Sequence, residues 1–231
     1  MKFSIPCFNE PIKELIDKYE SGKLTMIYGN AASGKTTSCL LAAIACARNK
    51  SKIIFVDTEN SFDSKRLQQL YYGNVKEILD NIFLIQPKTF EEQSETILKL
   101  KRLCENDSIK LVIVDTIGNL YRKRLSDKPK KINKMMAEQM ADLVRIARDL
   151  NKVVIITNQV SSKVDGSNEI KMVGGKMMEN LSKVIIEVKK DDKKRYAKLI
   201  KYKYDEEDKI HPNLDEKIKF EIKENGLFIL E

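Results

Sequence analysis

Short apolar runs alternate along this chain with longer stretches in which apolar residues recur at helical spacing. Five runs predict buried strands, at residues 24–28, 53–56, 82–85, 111–114 and 153–156. Each run is apolar on both faces, which is typical of parallel strands covered on both sides by helices. The stretches between them predict helices at residues 36–48, 90–104 and 133–150.

This alternation predicts an α/β fold, with a mainly parallel, twisted sheet flanked by helices. After Gly175 the pattern changes to short strand-like segments, at residues 184–188, 196–202, 218–222 and 227–230. We expect these segments to form a carboxyl-terminal β-meander that closes the sheet.

The first predicted strand runs directly into a glycine-rich segment, which is followed by an Ala/Leu-rich helix. From Gly29 to Thr36 the spacing is Gly-x-x-x-x-Gly-Lys-Thr. In such a loop, backbone N–H groups surround a phosphate, the lysine reaches the β- and γ-phosphates, and the hydroxyl binds Mg²⁺. The spacing predicts a P-loop for a nucleoside triphosphate, and the candidate binding residues are Gly29, Asn30, Ala31, Ala32, Ser33, Gly34, Lys35, Thr36 and Thr37.

Acidic and amide side chains stand at the ends of three later predicted strands, where a doubly wound sheet binds its ligands. Asp115 is a candidate to support Mg²⁺ together with Thr36. Glu59 is a candidate base for the attacking water, although an acidic residue there also fits a cap on the next helix. If the strand stays extended, Asp57 points to the same side as Glu59. Gln159 is a candidate contact for a γ-phosphate.

Two other classes of P-loop protein fit the sequence less well. Residues 115–118 match the Asp-x-x-Gly switch of GTPases, but the sequence lacks the Asn-Lys-x-Asp segment that reads guanine. A small-molecule kinase needs an arginine-rich lid, whereas the eight arginines of this chain are scattered.

The order of the motifs resembles the RecA/RadA recombinase superfamily over nearly the whole chain. After the P-loop come Asp-Thr-Glu at residues 57–59, Asp-Thr at 115–116, Asn-Gln at 158–159 and Gly-Gly-Lys at 174–176. The resemblance implies a RecA-like ATPase that uses ATP and Mg²⁺. It implies that Glu59 activates water, that Asp115 supports Mg²⁺ and that Gln159 links the γ-phosphate to a DNA-contacting loop. The candidate catalytic set is thus Glu59, Lys35 and Gln159, and the chain is most similar to the short archaeal paralogues of RadA.

Departures from RadA limit these expectations. The sequence contains no Phe-x-x-Ala segment, with which RadA-type subunits dock on each other. Residues 161–173, which match the second DNA loop, include no aromatic residue. Lys-Tyr-Lys-Tyr at residues 201–204 stands where RadA places an acidic cap over its neighbour's ATP. We therefore expect neither a filament-type ATPase cycle nor efficient strand exchange.

Positive charge is concentrated in two segments of a chain whose net charge is +8. The first basic cluster falls at the position of the first DNA loop and includes Arg122, Lys123, Arg124, Lys130 and Lys131. The second basic cluster spans residues 189–203 and includes Arg195, Lys201 and Lys203, with tyrosines at 196, 202 and 204 whose rings could stack on bases. Clustered charge of this kind predicts a polyanion partner, and the alternative is a solvated basic surface.

Length and composition suit a single RecA-like domain over residues 1–231, with 42% hydrophobic and 33% charged residues. Residues 1–22 are expected to form a lead-in segment, without a separate amino-terminal DNA-binding domain. The amino terminus shows no export signal and no apolar stretch is long enough to span a membrane. We expect a cytoplasmic protein with no membrane partner.

These features predict a weak ATPase that binds single-stranded or branched DNA and assists or regulates homologous recombination. The candidate protein partners are a RadA-like recombinase, a recombination nuclease and a second copy of the chain in a homodimer. The alternative function is that of a KaiC-like RecA-fold signalling ATPase that acts through protein partners.

Overall fold

The computed structural model describes residues 2–126, 128–161, 171–191, 194–205 and 209–230. Its strands are β1 (Ser4–Pro6), β2 (Lys18–Glu20), β3 (Leu24–Gly29), β4 (Lys52–Asp57), β5 (Ile82–Ile85), β6 (Ile109–Asp115), β7 (Val153–Ser161), β8 (Lys171–Met172), β9 (Val184–Asp191), β10 (Lys194–Tyr202), β11 (Lys217–Lys223) and β12 (Gly226–Ile229). Its helices are α1 (Glu10–Ile16), α2 (Lys35–Arg48), α3 (Ser64–Leu70), α4 (Val75–Leu79), α5 (Phe90–Leu103), α6 (Asn119–Arg124), α7 (Pro129–Asp149) and α8 (Gly175–Leu181).

One large sheet has the strand order β12–β11–β10–β9–β3–β7–β6–β4–β5, and β8 pairs with β7 at its side. From β9 to β5 along this order, neighbouring strands are parallel. The strands β9 to β12 then form an antiparallel meander at the other end. The predicted α/β class, with a mainly parallel sheet and a carboxyl-terminal meander, is confirmed. No helix in the described ranges is long and apolar enough to cross a membrane.

Helices cover both faces of the parallel part of the sheet and create two cores. On one face, α1 and α2 pack against strand residues such as Ile53 and Phe55. On the other face, α5 and α7 pack against residues such as Ile54 and Val112. Because successive residues of a strand point to opposite faces, each central strand must be apolar throughout. This is why the apolar runs predict these strands correctly.

The structure differs from the sequence prediction at β5 and in the lead-in segment, and it adds the short helices α3, α4, α6 and α8. The run at β5 is not fully buried, since Phe83 and Leu84 are 51% and 40% exposed. The reason is that β5 lies at the edge of the sheet, with β4 as its partner. The lead-in segment also has structure of its own: β1 and β2 pair, and Ile12 and Leu15 of α1 are buried in the first core.

The parallel arrangement places the predicted site residues at one edge of the sheet. Gly29, the last residue of β3, is in register with Gln159 of β7. Asp57, the last residue of β4, is in register with Asp115 of β6. The carboxyl ends of four strands therefore meet at one edge of the sheet, which is the edge at which doubly wound sheets generally bind their ligands.

Candidate nucleotide site

Two glycines shape the P-loop between β3 and α2. Gly29 lies so close to the backbone of β9 that an added Cβ would be 1.7 Å from the carbonyl oxygen of Val188. Gly34 is the N-cap of α2 and has a φ of 108°, a conformation that residues with a side chain rarely adopt. Glycine is therefore required at both ends of the loop.

The amino terminus of α2 opens into a cavity of about 440 Å³, a size that suits a small ligand. The cavity is lined by Ala31, Ala32, Ser33, Gly34, Lys35, Thr36, Thr37, Glu59, Thr116, Gln159, Arg195 and Ile222. Among the residues that the structure describes, no side chain caps α2, and its first turn has no acidic residue, whereas Thr89 caps α5. The first N–H groups of α2 are thus left for an anionic ligand, which the helix dipole also favours.

Lys35 is folded back along the inside of the P-loop. Its Nζ donates hydrogen bonds to the carbonyl oxygens of Gly29 and Asn30, at 3.0 and 2.7 Å. Burial lowers the pKa of Lys35, and the nearby carboxylates of Asp115 and Glu59 partly oppose this effect. The ammonium is therefore a partly desolvated charge next to the cavity, where an anion would stabilise it.

Asp115 and Thr36, the predicted support for Mg²⁺, lie next to each other. The Asp115 carboxylate is fully buried and accepts a hydrogen bond from the hydroxyl of Thr157. Burial raises the pKa of Asp115, and hydrogen bonds from Thr157 and Thr36 partly oppose that rise. A carboxylate and a hydroxyl beside the phosphate cradle are the oxygen ligands that Mg²⁺ takes in such sites, with water and phosphate completing its shell.

Asp57 does not face the cavity, contrary to the expectation for an extended strand. The reason is that β4 ends at Asp57 and the chain turns there. The Asp57 carboxylate accepts hydrogen bonds from the backbone N–H groups of Glu59, Ser61 and Phe62, at 3.2, 3.1 and 3.0 Å. It also accepts one from the side chain of Gln86. Asp57 thus shapes the loop that carries Glu59.

Glu59 and Gln159 meet at the mouth of the cavity. The side-chain amide of Gln159 and the hydroxyl of Thr116 both donate hydrogen bonds to Oε1 of Glu59. Arg122 in turn donates a hydrogen bond of 2.9 Å to Oε1 of Gln159. The structure therefore joins the predicted base, the predicted γ-phosphate contact and one residue of the first basic cluster in a single chain of hydrogen bonds. An interpretation of Glu59 as a helix cap does not fit, since Asp63 caps α3.

Sequence reasoning did not find the contacts between the P-loop and the β9–β10 hairpin. The side chain of Asn30 exchanges two hydrogen bonds with the backbone of Lys190, at 2.7 and 2.9 Å. Arg195 of β10 donates a hydrogen bond from Nε to the carbonyl oxygen of Ala32. In the sequence Arg195 is one cation in a basic run, and only the pairing of the strands shows that it lies at the cavity.

The first basic cluster lies on and after α6, at the same edge of the sheet. Arg124 forms an ion pair of 2.8 Å with Glu91 and thereby lowers the pKa of the Glu91 carboxyl. Lys123, Lys130 and Lys131 are exposed. Much of the predicted second DNA loop, residues 162–170, lies outside the described residues.

The residues of the second basic cluster differ in their exposure to solvent. Lys201 is half-buried and donates a hydrogen bond to the carbonyl oxygen of Glu179, whereas Lys203 is exposed. The rings of Tyr202 and Tyr204 lie 4.9 Å apart, and Lys23 sits over the Tyr202 ring at 4.3 Å. These two rings are therefore engaged within the molecule.

Comparison with known proteins agrees with this geometry. Residues 12–228 match the model of the Rad51 family. The chain belongs to the Rad51 family. The match confirms the resemblance to the RecA/RadA superfamily that the order of the motifs predicts.

Several archaeal relatives carry the description "DNA repair and recombination protein RadB". The protein of Methanococcus maripaludis strain C7 is 36% identical over 95% of this chain and 98% of its own length. The protein of Methanocaldococcus jannaschii is 36% identical over 94% of this chain and 98% of its own length. The protein of Archaeoglobus fulgidus is 36% identical over 82% of this chain and 85% of its own. This Rad51-family chain is thus similar to RadB proteins along most of its length.

Proposed function

We propose that this protein binds ATP with Mg²⁺, hydrolyses it slowly, binds DNA and assists or regulates homologous recombination. The observation that carries the proposal is the edge of the sheet at which the P-loop, Asp115, Glu59 and Gln159 meet a cluster of exposed lysines. The relatives described as recombination proteins support the recombination role.

The residues at this edge fit a magnesium-bound triphosphate. In the described part of the chain, no side chain caps the amino terminus of α2, and the buried hydroxyl of Ser33 has no hydrogen-bond partner. We assign the phosphates to residues 29–37, with Lys35 as the cation, and the Mg²⁺ to Thr36 and Asp115. Mg²⁺, when bound, neutralises charge on the reacting phosphates.

Glu59 is the residue that we assign to the attacking water. Its Oε1 is occupied by Gln159 and Thr116, so its carboxylate is held at a fixed position, and Glu59 is exposed to solvent. A carboxylate held in this way can orient water and accept its proton. Gln159 joins this carboxylate to Arg122. A movement of Arg122, for example on DNA binding, can therefore change the position of the Glu59 carboxylate.

DNA binding is tested by titrating a labelled single-stranded oligonucleotide at two salt concentrations, with and without MgATP. If about four phosphates are contacted, affinity should fall roughly a hundredfold between about 50 and 200 mM salt. ATP binding without salt-sensitive DNA binding would contradict the proposal and favour the signalling ATPase.

The accessory role is supported by the segment at residues 201–204. Tyr202 and Tyr204 are half-buried and their rings contact each other, and the segment has none of the acidic residues with which RadA caps a neighbour's nucleotide. We therefore propose a RadA-like recombinase or a recombination nuclease as the partner. Electron microscopy with ATP and single-stranded DNA, together with a strand-exchange assay, tests this role. Regular filaments with efficient exchange by the protein alone would contradict it.

A further inference from the structure

Arg195 lies at the wall of the nucleotide cavity, although it belongs to the carboxyl-terminal meander, which is far from the P-loop in sequence. Among the described residues that line the cavity, the cationic ones are Lys35 and Arg195, and Glu59 is the anionic one. Lys35 already donates to two loop carbonyls. A triphosphate carries several negative charges, so a second cation at this wall would attract the phosphates and offset part of their charge.

The position of Arg195 is fixed by the pairing of β9 and β10. Arg195 is directly opposite Lys190 in the antiparallel register, and the backbone of Lys190 is bonded in both directions to the side chain of Asn30. The carbonyl oxygen of Val188 also lies against Gly29. The hairpin therefore contacts the P-loop through two residue pairs, Asn30 with Lys190 and Gly29 with Val188, and these contacts hold Arg195 beside the loop.

Strand alternation separates Arg195 from the lysines next to it in β10, whereas Lys190, directly opposite in β9, shares its face. Arg195 has the same parity in β10 as Ala197 and Leu199, which are buried in the core that contains α2. Lys194 and Lys198 have the opposite parity and point to the other face. The second basic cluster is thus a single run in sequence but not a single surface, and Arg195 is on the nucleotide side.

The guanidinium of Arg195 retains hydrogen-bonding capacity. Its described hydrogen bond is the one from Nε to the carbonyl oxygen of Ala32, at 3.3 Å, and in the described residues no carboxylate forms an ion pair with it. The side chain is half-buried. A guanidinium held by Nε alone has its terminal N–H groups free to bind phosphate oxygens in a bidentate manner.

We propose that Arg195 binds the phosphate chain of the nucleotide within its own subunit. This inference rests on the proposed function of the P-loop and adds a specific residue to it. Binding would join the carboxyl-terminal meander to the P-loop through the ligand as well as through Asn30. A nucleotide with a longer phosphate chain should gain more from this contact than a monophosphate does.

The test is the affinity of the purified protein for fluorescent ATP, ADP and AMP analogues with Mg²⁺. Arg195→Ala should weaken binding of the ATP analogue about 10- to 100-fold, as expected for the loss of charge-assisted hydrogen bonds. Arg195→Lys should recover part of the loss, because it restores the charge but not the fork of donors. The matched control is Lys194→Ala, the adjacent cation on the other face, which should bind the nucleotide like the parent.

The outcomes separate this inference from the proposed function. Unchanged ATP affinity in both Arg195 variants, with lost affinity in Lys35→Ala, would overturn the role of Arg195 alone. Unchanged affinity in Lys35→Ala would remove the P-loop assignment itself. Weakened DNA binding with unchanged ATP affinity in Arg195→Ala would assign the guanidinium to DNA and so contradict the proposal. If Arg195→Ala does not fold, Arg195→Lys and Arg195→Met carry the same comparison.

Discussion

At the scale of single residues, Lys35 and Asp115 are buried charges whose pKa values move in opposite directions. The pKa of Lys35 falls below its ordinary value of 10.5, so its contribution to stability is present above that value and lost as the pH falls through the folded pKa. The pKa of Asp115 rises above 3.8, so its contribution is present below that value and lost as the pH rises through the folded pKa. Near neutral pH, both charges lower the stability of the ligand-free protein.

Lys35→Met should therefore raise the free energy of unfolding without nucleotide, because it removes a desolvated ammonium and keeps the apolar stem. The same variant should lose the stabilisation by MgATP, which for the parent is about 2.7 kcal/mol when the ligand is at about 100 times its Kd. Thermal unfolding with and without MgATP measures both effects. The control is Lys99→Met, which removes an exposed lysine on α5. Equal stabilisation of Lys35→Met and the parent by MgATP would remove Lys35 from the site.

Glu59→Gln should keep nucleotide affinity and lose hydrolysis by about 10²- to 10⁴-fold, since it retains an oxygen acceptor for Gln159 and Thr116 but no longer accepts a proton. Phosphate release under saturating MgATP gives the turnover, and titration gives the affinity. Glu95→Gln, on the exposed face of α5, is the control. Turnover that is the same in Glu59→Gln as in the parent would exclude Glu59 as the base.

At the scale of elements, the loop after β4 depends on one carboxylate. Asp57 is buried, and the N–H groups of Glu59, Ser61 and Phe62 point at it. These hydrogen bonds to Asp57 therefore hold the loop in a conformation that places Glu59 at the cavity, although the loop is neither helix nor strand. Thr58 reinforces this arrangement, because its hydroxyl donates to the carbonyl oxygen of Thr116 in the adjacent loop.

Asp57→Ala should lower the free energy of unfolding by about 2–4 kcal/mol, because the partly buried N–H groups of Glu59, Ser61 and Phe62 lose their acceptor. It should also reduce turnover, since the backbone that positions Glu59 is released. Asp57→Asn keeps one acceptor and should have a smaller effect on both. Denaturant unfolding and phosphate release are the measurements.

The control variant is Asp63→Ala, which removes the cap of α3. It should lower the free energy of unfolding by about 1 kcal/mol with little change in turnover. A destabilised Asp57→Ala protein with full turnover would show that Glu59 does not depend on this carboxylate.

The sequence predicts the central strands well because a strand that is buried on both faces must be a run of consecutive apolar residues. The position of Asp115 at the end of β6 follows from the same pattern. The orientation of Asp57 could not be predicted, because it depends on the exact residue at which β4 ends. The strand ends at Asp57 itself, and its side chain therefore turns toward the following loop. The place of Arg195 depends on the register of β10 with β9, which is a long-range property. The short α1 was missed because a helix of seven residues shows too little periodicity.

At the scale of the whole molecule, the site and the first basic cluster share one edge of the sheet. Arg122 and Arg124 are engaged with Gln159 and Glu91, whereas Lys123, Lys130 and Lys131 are exposed. The lysines are thus the better test of DNA binding, because their removal leaves the hydrogen bonds of the site intact.

Reversal of these three lysines to Glu should weaken DNA binding for all sequences and reduce the slope of log affinity against log salt by about 2 to 3. The control variant, with the exposed Lys13, Lys99 and Lys101 changed to Glu, has the same net charge. Oligonucleotide titrations at several salt concentrations measure both proteins. If the two variants bind DNA equally, the first basic cluster is ordinary solvated surface.

The position of β3 between β7 and β9 has a consequence for synthesis of the chain. Its partners in the sheet are about 130 and 160 residues further along the sequence. The P-loop leaves the ribosome early, but the strand that supports it gains its two neighbours only when β9 has emerged. Pairing at such separation is slow to form. The candidate nucleotide site is therefore one of the last parts of the molecule to be completed, and a nascent chain that stops before β9 has the P-loop sequence without the strand pairing that supports it.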